Sequence, residues 1–209
     1  MKVLLLGATG PTGRHLLDLL TETDHEVVAL VRDASRLGGL THPRLRTMTG
    51  DATSPVDVAR AMAGKDAVMS ALGAGSSLRP DGLFEAAATA VTEAAEVEGV
   101  DRLVWLSSFG VGTSYAEASI VQKGIYSTLL RSLYKDKAVA DDLVRSSDLG
   151  WTIVHPTRLT DGPALGDYTA ADSLPMKGNP TISRADVAHF MLTALEDRSW
   201  TRRTAVISD

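Results

Sequence analysis

The chain has 209 residues, 44% of them hydrophobic and 22% charged, which is an ordinary composition for one folded domain with a substantial core. Its 26 acidic and 21 basic residues give a net charge of −5, and that balance argues against general nucleic-acid binding. Because the chain contains no cysteine, disulfides, cysteine-ligated metals and thiol nucleophiles are excluded.

The amino-terminal residues show neither a signal peptide nor a membrane span. Met1 and Lys2 lead straight into a predicted strand, and no apolar run approaches the roughly 18 residues that a span requires. We therefore expect a cytoplasmic protein without a membrane partner or a nucleic-acid partner. As to its assembly, the expectation is a monomer or a small homo-oligomer.

The first predicted elements are a buried strand at 3–6, a glycine turn and a helix with leucines at helical spacing. Gly7, Gly10 and Gly13 follow the strand in the pattern G-x-x-G-x-x-G. The first two allow a tight turn that a pyrophosphate can approach, and Gly13 allows the helix to lie close to the strand. The helix N-terminus offers free N–H groups and a positive dipole end to phosphates. An ordinary strand-to-helix turn is the alternative.

Buried strands then alternate with helices along most of the chain. Strands are predicted at 26–31, 45–48, 66–72, 103–106, 151–155 and 204–207, and helices from 53–55 onward and at 83–98, 136–146 and 184–196. Such alternation requires crossover connections, so we expect an α/β fold with a doubly wound, Rossmann-type parallel sheet. One domain is predicted over 1–209, with breaker-rich segments at about 110–135 and 157–181 that shape a substrate pocket.

The ends of the predicted strands are polar or rich in glycine. In an open parallel sheet, ligands bind beyond the carboxyl ends of the strands, so these stretches meet at one edge. Besides the glycine turn, they are Arg32-Asp33, Asp51-Ala52, Leu72-Gly73, Ser107-Ser108 and Pro156-Thr157-Arg158. Their convergence favours a dinucleotide site more strongly than any single motif does.

The end of the second strand bears on the choice between NADP(H) and NAD(H). An NAD site usually places a carboxylate there, whereas a 2′-phosphate favours a cation. Here Arg32 ends the strand and Asp33 follows, and we expect Arg14, in the first turn of the first helix, to lie nearby in the fold and share the charge. A guanidinium offers phosphate two donors at once. We therefore expect NADP(H) in preference to NAD(H), although an Arg32–Asp33 surface pair would leave the preference open.

Several segments together resemble one known family. They are the run Gly7-Ala8-Thr9-Gly10-Pro11-Thr12-Gly13-Arg14, then Val31-Arg32-Asp33, Gly50-Asp51 and the late Ile182-Ser183-Arg184-Ala185-Asp186-Val187-Ala188. This pattern is similar to that of the atypical short-chain dehydrogenase/reductases, and within them to the small NAD(P)H-binding branch that contains biliverdin reductase B, a flavin reductase. The resemblance covers nearly the whole chain.

The resemblance implies a site for NADPH across the strand ends. The glycine loop (Gly7, Thr9, Gly10, Pro11, Thr12 and Gly13) would hold the pyrophosphate, and Arg14 with Arg32 the 2′-phosphate. Asp51 and Ala52 would flank the adenine, Leu72 and Gly73 the ribose near the nicotinamide, and Ser107, Ser108, Pro156 and Thr157 the nicotinamide ring. Members of this branch pass hydride to small-molecule acceptors such as flavins, quinones or tetrapyrroles. Some relatives act only as redox-sensing or regulatory binders.

The residues for the chemistry are less clearly indicated. The usual Tyr-x-x-x-Lys pair, in which lysine lowers the pKa of the tyrosine, is missing, because Leu133 stands four residues before Lys137. Tyr134 lies three before Lys137, so a shifted pair on one helix face is one interpretation. The other is that Tyr134 packs and Lys137 is solvated or touches the cofactor ribose.

Two strand-end residues are the other catalytic candidates. Ser108 falls where the resemblance places an active-site serine, and it would orient substrate or relay a proton; a local turn role is the alternative. Arg158 departs from the histidine of biliverdin reductase B. An arginine does not donate protons at neutral pH, but it can hold a carboxylate, a phosphate or a reduced-flavin anion. Biliverdin reduction is therefore less expected than flavin or quinone reduction.

The remaining polar residues receive structural interpretations. The five histidines lack metal-ligand spacing, so no metal site is predicted. Asp141-Asp142 is interpreted as a solvent-facing part of a helix, and Asp186 as a cap or a structural pair. The leading hypothesis is an NADPH-dependent reductase, and the alternative is a non-catalytic NADP(H)-binding regulator. A relative of the sugar-nucleotide epimerases is less favoured, because 209 residues leave little room for a substrate domain.

Overall fold

The computed structural model describes residues 1–75, 81–118, 124, 130–176 and 178–209. Within these ranges the strands are β1 (Lys2–Leu6), β2 (Glu26–Val31), β3 (Leu45–Thr49), β4 (Ala67–Ser70), β5 (Arg102–Leu106), β6 (Gly150–Pro156), β7 (Arg158–Thr160), β8 (Thr169–Ala171), β9 (Thr181–Ser183) and β10 (Arg203–Ser208). The α-helices are α1 (Pro11–Glu22), α2 (Pro55–Met62), α3 (Leu83–Glu98), α4 (Arg131–Ser146) and α5 (Arg184–Asp197).

Eight strands form one sheet in the order β3-β2-β1-β4-β5-β6-β10-β8. Each neighbouring pair from β3 to β10 is parallel, as the alternation of strands and helices predicts. The edge strand β8 pairs antiparallel with β10, which the predicted all-parallel sheet did not include. The strands β7 and β9 form a separate parallel pair outside the main sheet. The fold is thus a Rossmann-type α/β architecture with one antiparallel edge.

Helices cover both faces of the sheet, because successive strand side chains point to opposite sides. In β1, Val3 and Leu5 pack in the layer formed with α1 and α5, whereas Leu4 and Leu6 pack in the layer formed with α2, α3 and α4. All four are inaccessible to solvent. Burying such a side chain contributes about 1.5–3 kcal/mol, so these two layers supply the stability that holds the strand ends in register.

Most of the predicted elements are confirmed, and their caps follow the sequence signals. Ser54 and Ser183 cap α2 and α5 with their side chains, and Gly99 ends α3 in the left-handed conformation. The helix predicted at 136–146 was too short, since α4 begins at Arg131. No glycine or proline interrupts 131–135, so the helix extends back to Arg131, with Leu130 as its N-cap. Among the described helices, none combines the length and the apolar character needed to cross a membrane.

Candidate functional site

The turn between β1 and α1 requires glycine at two positions. Gly7 has φ +81°, and a Cβ there would lie 2.5 Å from the carbonyl oxygen of Ala71 on the neighbouring strand end. A Cβ on Gly13 would lie 2.0 Å from the oxygen of Gly7, so only glycine lets α1 pack against the turn. The Gly10 N–H donates to that same oxygen at 2.9 Å. These contacts fix a turn whose backbone is open to a ligand.

The start of α1 is suited to an anion. Gly10 precedes the helix in an extended conformation and has no side chain with which to cap it, and Pro11 is the first helical residue. The N–H groups of the first turn are therefore available to an external acceptor, at the positive end of the helix dipole. Thr12 is buried within this turn. The residues present fit a cofactor pyrophosphate, as the glycine pattern predicts.

The residues at the end of β2 are arranged differently from an ordinary NAD site. The carboxylate of Asp33 accepts bonds from the Ser35 N–H at 2.9 Å and from the Ser35 hydroxyl at 2.7 Å. These bonds, the hydroxyl one foremost, lower the pKa of Asp33, and the charge of Arg36 adds to them. Asp33 thus caps the short 3-10 helix Ala34–Leu37, and Arg32 is exposed.

Arg14 fastens the same 3-10 helix to α1. Its guanidinium donates to the carbonyl oxygen of Leu37 at 2.9 Å and to that of Arg36 at 2.5 Å. The structure therefore brings Arg14 beside the loop that follows Arg32, where the sequence placed it. Both cations lie at the carboxyl edge of β2, one anchored by backbone carbonyls and the other exposed.

The ends of β3 and β4 complete this edge of the sheet. Asp51 accepts bonds from the backbone and the hydroxyl of Thr53, at 2.9 and 2.8 Å, and its own N–H donates to Asp57. The Thr53 backbone bond is the main cause of the lowered pKa of Asp51, to which the charge of Arg32 also contributes. Ala52, Leu72 and Gly73 follow the ends of these strands, as predicted.

A cavity of about 280 Å³ opens beyond β5 and β6. It brings together three of the four predicted catalytic residues, Ser108, Tyr134 and Arg158. The other residues that line it are Phe109, Leu130, Leu133, Pro156, Thr157, Leu159 and Arg184. A larger cavity of about 480 Å³ lies at the opposite edge of the sheet, among Lys2, Arg44 and Lys65. We assign the chemistry to the smaller one, because it lies at the carboxyl ends of the strands.

Lys137, the fourth predicted residue, lies behind Ser108 rather than in the cavity wall. Its ammonium donates to the Ser108 hydroxyl oxygen at 2.7 Å and to the Ser107 carbonyl oxygen at 3.2 Å, and it lies 4.8 Å from the ring centroid of Phe84. Burial lowers the pKa of Lys137 to about 8, against the opposing effect of Asp141 and Asp136. Lys137 is therefore a buried amine that can exchange a proton near neutral pH, not a solvated one.

The prediction that Asp141-Asp142 faces solvent is wrong for Asp141. Its side chain is inaccessible to solvent, and one carboxylate oxygen accepts a bond from Ser107 Oγ at 3.0 Å and lies 2.8 Å from His155 Nε2. Lys137, Ala140, Asp141 and Val144 form the buried stripe of α4. The spacing of Lys137 and Asp141, four residues apart, was the signal in the sequence that pointed to their sharing a face.

Two acidic residues have structural roles at this end of the molecule. Asp136 accepts the N–H groups of Phe84 and Glu85, at 3.1 and 3.0 Å, and so caps α3, whose N-cap residue is a glycine. Asp186 accepts the N–H of Leu165 at 3.0 Å and of Gly166 at 2.8 Å. Its predicted structural role is confirmed.

Two further points concern the predicted pocket segments. Residues 119–123, 125–129 and 177, which fall within the predicted segments 110–135 and 157–181, lie outside the described residues. Arg184, which the sequence did not single out, lines the cavity and donates to Asp161 at 2.5 Å. Two arginines therefore border the cavity, one of them paired.

Comparison with known proteins identifies the family. The model of the NAD(P)H-binding family matches residues 7–198, so the chain belongs to that family. The sequence resemblance is confirmed at this level. YhfK of Bacillus subtilis (strain 168), called an uncharacterized sugar epimerase, is 29% identical over 209 residues, which cover 97% of this chain and 92% of the relative.

Solved structures support the same assignment of the fold. The anaerobilin reductase ChuY of Escherichia coli O157:H7 has 25% sequence identity and a TM-score of 0.82, with 99% of this chain and 96% of that chain covered. A short-chain dehydrogenase/reductase of Veillonella parvula DSM 2008, solved in complex with NADP, has 21% identity and a TM-score of 0.82, with 100% and 94% covered. The chain has an NAD(P)H-binding oxidoreductase fold with reductases among its neighbours.

Proposed function

We propose that the protein is an NADPH-dependent reductase that transfers hydride to a flat conjugated acceptor, a flavin or a quinone. The observation that carries this proposal is the 2.7 Å bond between buried Lys137 and Ser108, whose hydroxyl borders the cavity at the carboxyl edge of the sheet. The glycine turn that suits a cofactor and the cavity with its proton source then lie at the same edge of the sheet, which is the arrangement that a two-electron reduction needs.

The cofactor would lie across the strand ends, with its pyrophosphate at the glycine turn and its 2′-phosphate near Arg32 and Arg14. NADPH, when bound, supplies the hydride. NADP(H) is preferred in this proposal for two reasons. The Asp33 carboxylate already caps the 3-10 helix, and Arg32 is exposed at the position that distinguishes a ribose 2′-phosphate from a 2′-hydroxyl. The NADP complex of the Veillonella parvula neighbour is consistent with this preference.

The protein's own residues would then supply the proton. Below a pH of about 8 the Lys137 amine is protonated and donates to Ser108 Oγ, which in turn has a proton to give to an oxygen or nitrogen of the acceptor. Lys137 then donates a proton to Ser108 and is itself reprotonated by solvent. Hydride and proton together complete the reduction, so no tyrosine at position 133 is required.

The cavity wall suits a flat, partly anionic acceptor. Its apolar residues offer a surface for stacking, and Tyr134 adds an aromatic ring. Arg184 is paired with Asp161, whereas Arg158 is exposed at the border and is suited to bind a phosphate or a carboxylate. ChuY, whose name describes a reductase, supports this class of chemistry over the epimerase named in YhfK.

The test is NADPH oxidation with FMN, FAD, riboflavin and simple quinones as acceptors. We expect turnover above the enzyme-free rate, and a higher kcat/KM for FMN than for riboflavin, since these two differ only in the phosphate. Arg158→Gln should reduce that ratio about tenfold, in line with one charge-assisted bond. The exposed Arg198→Gln, at the opposite edge of the sheet, is the matched control. Bound NADPH without turnover of any acceptor would support the regulatory alternative instead.

Cofactor preference is tested separately by Arg32→Ala. Loss of the cation should weaken NADPH binding about tenfold or more and leave NADH binding nearly unchanged, because only NADPH carries the 2′-phosphate. Fluorescence titration of the two cofactors measures both affinities. Equal losses for the two would contradict the assignment of Arg32.

A further inference from the structure

A buried hydrogen-bonded network lies at the end of β5, next in the chain to the cavity residues Ser108 and Pro156. Asp141 is its centre: one carboxylate oxygen, Oδ2, accepts from Ser107 Oγ at 3.0 Å and lies 2.8 Å from His155 Nε2, with Arg145 Nη2 at 3.9 Å. The other oxygen, Oδ1, is buried and has no hydrogen-bond partner among the described residues. A carboxylate in this setting is costly unless a cation lies near it.

The network continues beyond Asp141 to the turn that follows β5. His155 Nδ1 lies 2.9 Å from Ser114 Oγ, which accepts the Gly110 N–H at 2.9 Å and is 2.8 Å from the Val111 oxygen. Ser114 has one proton, so it donates either to Val111 or to His155. When Ser114 donates to His155 Nδ1, the imidazole carries its proton on Nε2 and donates it to Asp141, so that the ring is held from two sides. The Asp141 carboxylate is thereby linked to Ser107 directly and to the 110–114 turn through His155.

Two cations flank Asp141 on the helix: Arg145, one turn after it at 3.9 Å, and Lys137, one turn before it and on the same buried stripe. The groups around the Lys137 ammonium come from four elements. They are Ser107 and Ser108 after β5, the Phe84 ring of α3, and the carboxylates of Asp136 and Asp141 on α4, with His155 of β6 behind Asp141. Both oxygens of Asp136 already accept α3 backbone N–H groups. Asp141 is therefore the carboxylate that still has one oxygen, Oδ1, without a hydrogen-bond partner among the described residues.

We propose that Asp141, held by His155, is a positioning residue of this reductase. Its bond to Ser107 fixes the Ser107–Ser108 turn, and its negative charge keeps the Lys137 ammonium charged beside Ser108. The consequence for rate rests on the proposed function, whereas the consequence for the charge of Lys137 does not. Asp141 acts only through Lys137 and Ser107 and touches neither the cavity nor the cofactor site.

The test compares Asp141→Asn with Asp142→Asn. An asparagine at 141 can place its amide oxygen where Oδ2 lies, and so keep the Ser107 and His155 bonds while removing the charge. Asp142 is the matched control, because it is the next residue, is exposed and pairs with the same Arg145, at 3.0 Å. Lysine NMR titration of the full chain, with and without NADP⁺, follows the ammonium directly. The six lysines give few signals, and Lys137→Met identifies the one of interest.

We expect Asp141→Asn to lower the titration midpoint of Lys137 by about one pH unit and Asp142→Asn to leave it unchanged. The rate of NADPH oxidation in Asp141→Asn should then fall with pH about one unit earlier than in the wild type, with kcat reduced and the KM for NADPH unaltered. A folded Asp141→Asn with an unshifted Lys137 midpoint would overturn the inference.

A second variant covers the case in which Asp141→Asn does not fold. Ser107→Ala removes the bond between the turn and Asp141 without altering any charge. It should lower kcat severalfold and leave the Lys137 midpoint unchanged, and an unaltered kcat would overturn the positioning role. If the wild type reduces no acceptor, the proposed function fails, and the NMR titration still decides whether Asp141 sets the charge of Lys137.

Discussion

Two buried cations lie near the opposite ends of β5, and their surroundings differ. Arg102 begins the strand and donates to four oxygens: the carbonyls of Leu103, Gly150 and Ala194 and the hydroxyl of Thr152. Lys137 meets the other end of the strand and, among the described residues, donates to two oxygens, one of them the Ser108 hydroxyl at the cavity. Burial lowers the pKa of Arg102 to about 10 and that of Lys137 to about 8.

The difference separates a structural cation from one suited to proton transfer. Arg102 remains charged throughout the physiological range, and its donors join β5, β6 and α5. Lys137 can lose its proton near neutral pH and faces a hydroxyl that borders the cavity. A buried cation that donates to several backbone carbonyls holds a fold together, whereas one with fewer described partners beside a cavity is available for chemistry.

The largest effect is expected from Arg102→Met. The substitution leaves four acceptors without their donor in the core, so we expect the free energy of unfolding to fall by about 3–5 kcal/mol. For a chain of this size, that corresponds to a fall in Tm of roughly 10 °C. Urea unfolding measures the change, and NADPH affinity at low temperature should be retained. A variant that keeps wild-type stability would contradict the structural role of Arg102.

Lys137→Met should affect the rate more than the stability. Loss of the proton source should lower kcat for NADPH oxidation about a hundredfold, a typical contribution of general acid catalysis. In the wild type the rate should fall as pH rises through about 8, because Lys137 is a donor only while it is protonated. The measurement is a pH profile of kcat with a quinone acceptor.

The control for that profile is the variant itself. Lys137→Met should show a low rate without the fall near pH 8, since the group that titrates is gone. If kcat of Lys137→Met still falls near pH 8, another group titrates there. The distinction between Lys137 as a proton donor and Arg102 as a structural cation would then be wrong.

The smallest effect is expected from Thr152→Val, which removes one of the four acceptors of Arg102. Thr152 Oγ1 accepts from Arg102 at 2.8 Å and donates to the Trp200 carbonyl at 2.8 Å. The free energy of unfolding should fall by about 1 kcal/mol, with kcat and its pH profile unchanged. Thermal unfolding together with the NADPH assay checks both parts, and a shifted pH profile would be the contrary result.

Most of the fold was predictable, because its signals are local. Apolar runs at 26–31 and 151–155 mark strands that are buried on both faces, and Gly99 marks the end of α3. The antiparallel strand β8 was not predicted, since Thr169–Ala171 has three residues in a breaker-rich segment and its pairing with β10 depends on tertiary contacts.

The candidate site was predictable only in part. The glycine turn could be predicted from the sequence, because the turn requires glycine at Gly7 and Gly13, where a side chain does not fit. The environments of Lys137 and Asp141 could not be predicted from local sequence patterns, because their partners lie at the ends of distant strands. These partners are Ser107, Ser108 and His155. Two neighbouring aspartates on a helix look alike in sequence, and only the packing of α4 shows which one is buried.

The bonds of Asp186 have a consequence for engineering this protein. The chain between β7 and β9 borders the cavity at one end, and it is fastened midway at Leu165 and Gly166 to the first turn of α5. A segment held at both strands and at this midpoint is a natural unit for loop grafting. Sequences exchanged between Arg158 and Arg184 would alter the acceptor while the glycine turn is retained, provided that the graft keeps two N–H groups opposite Asp186 and the strand β8 that pairs with β10.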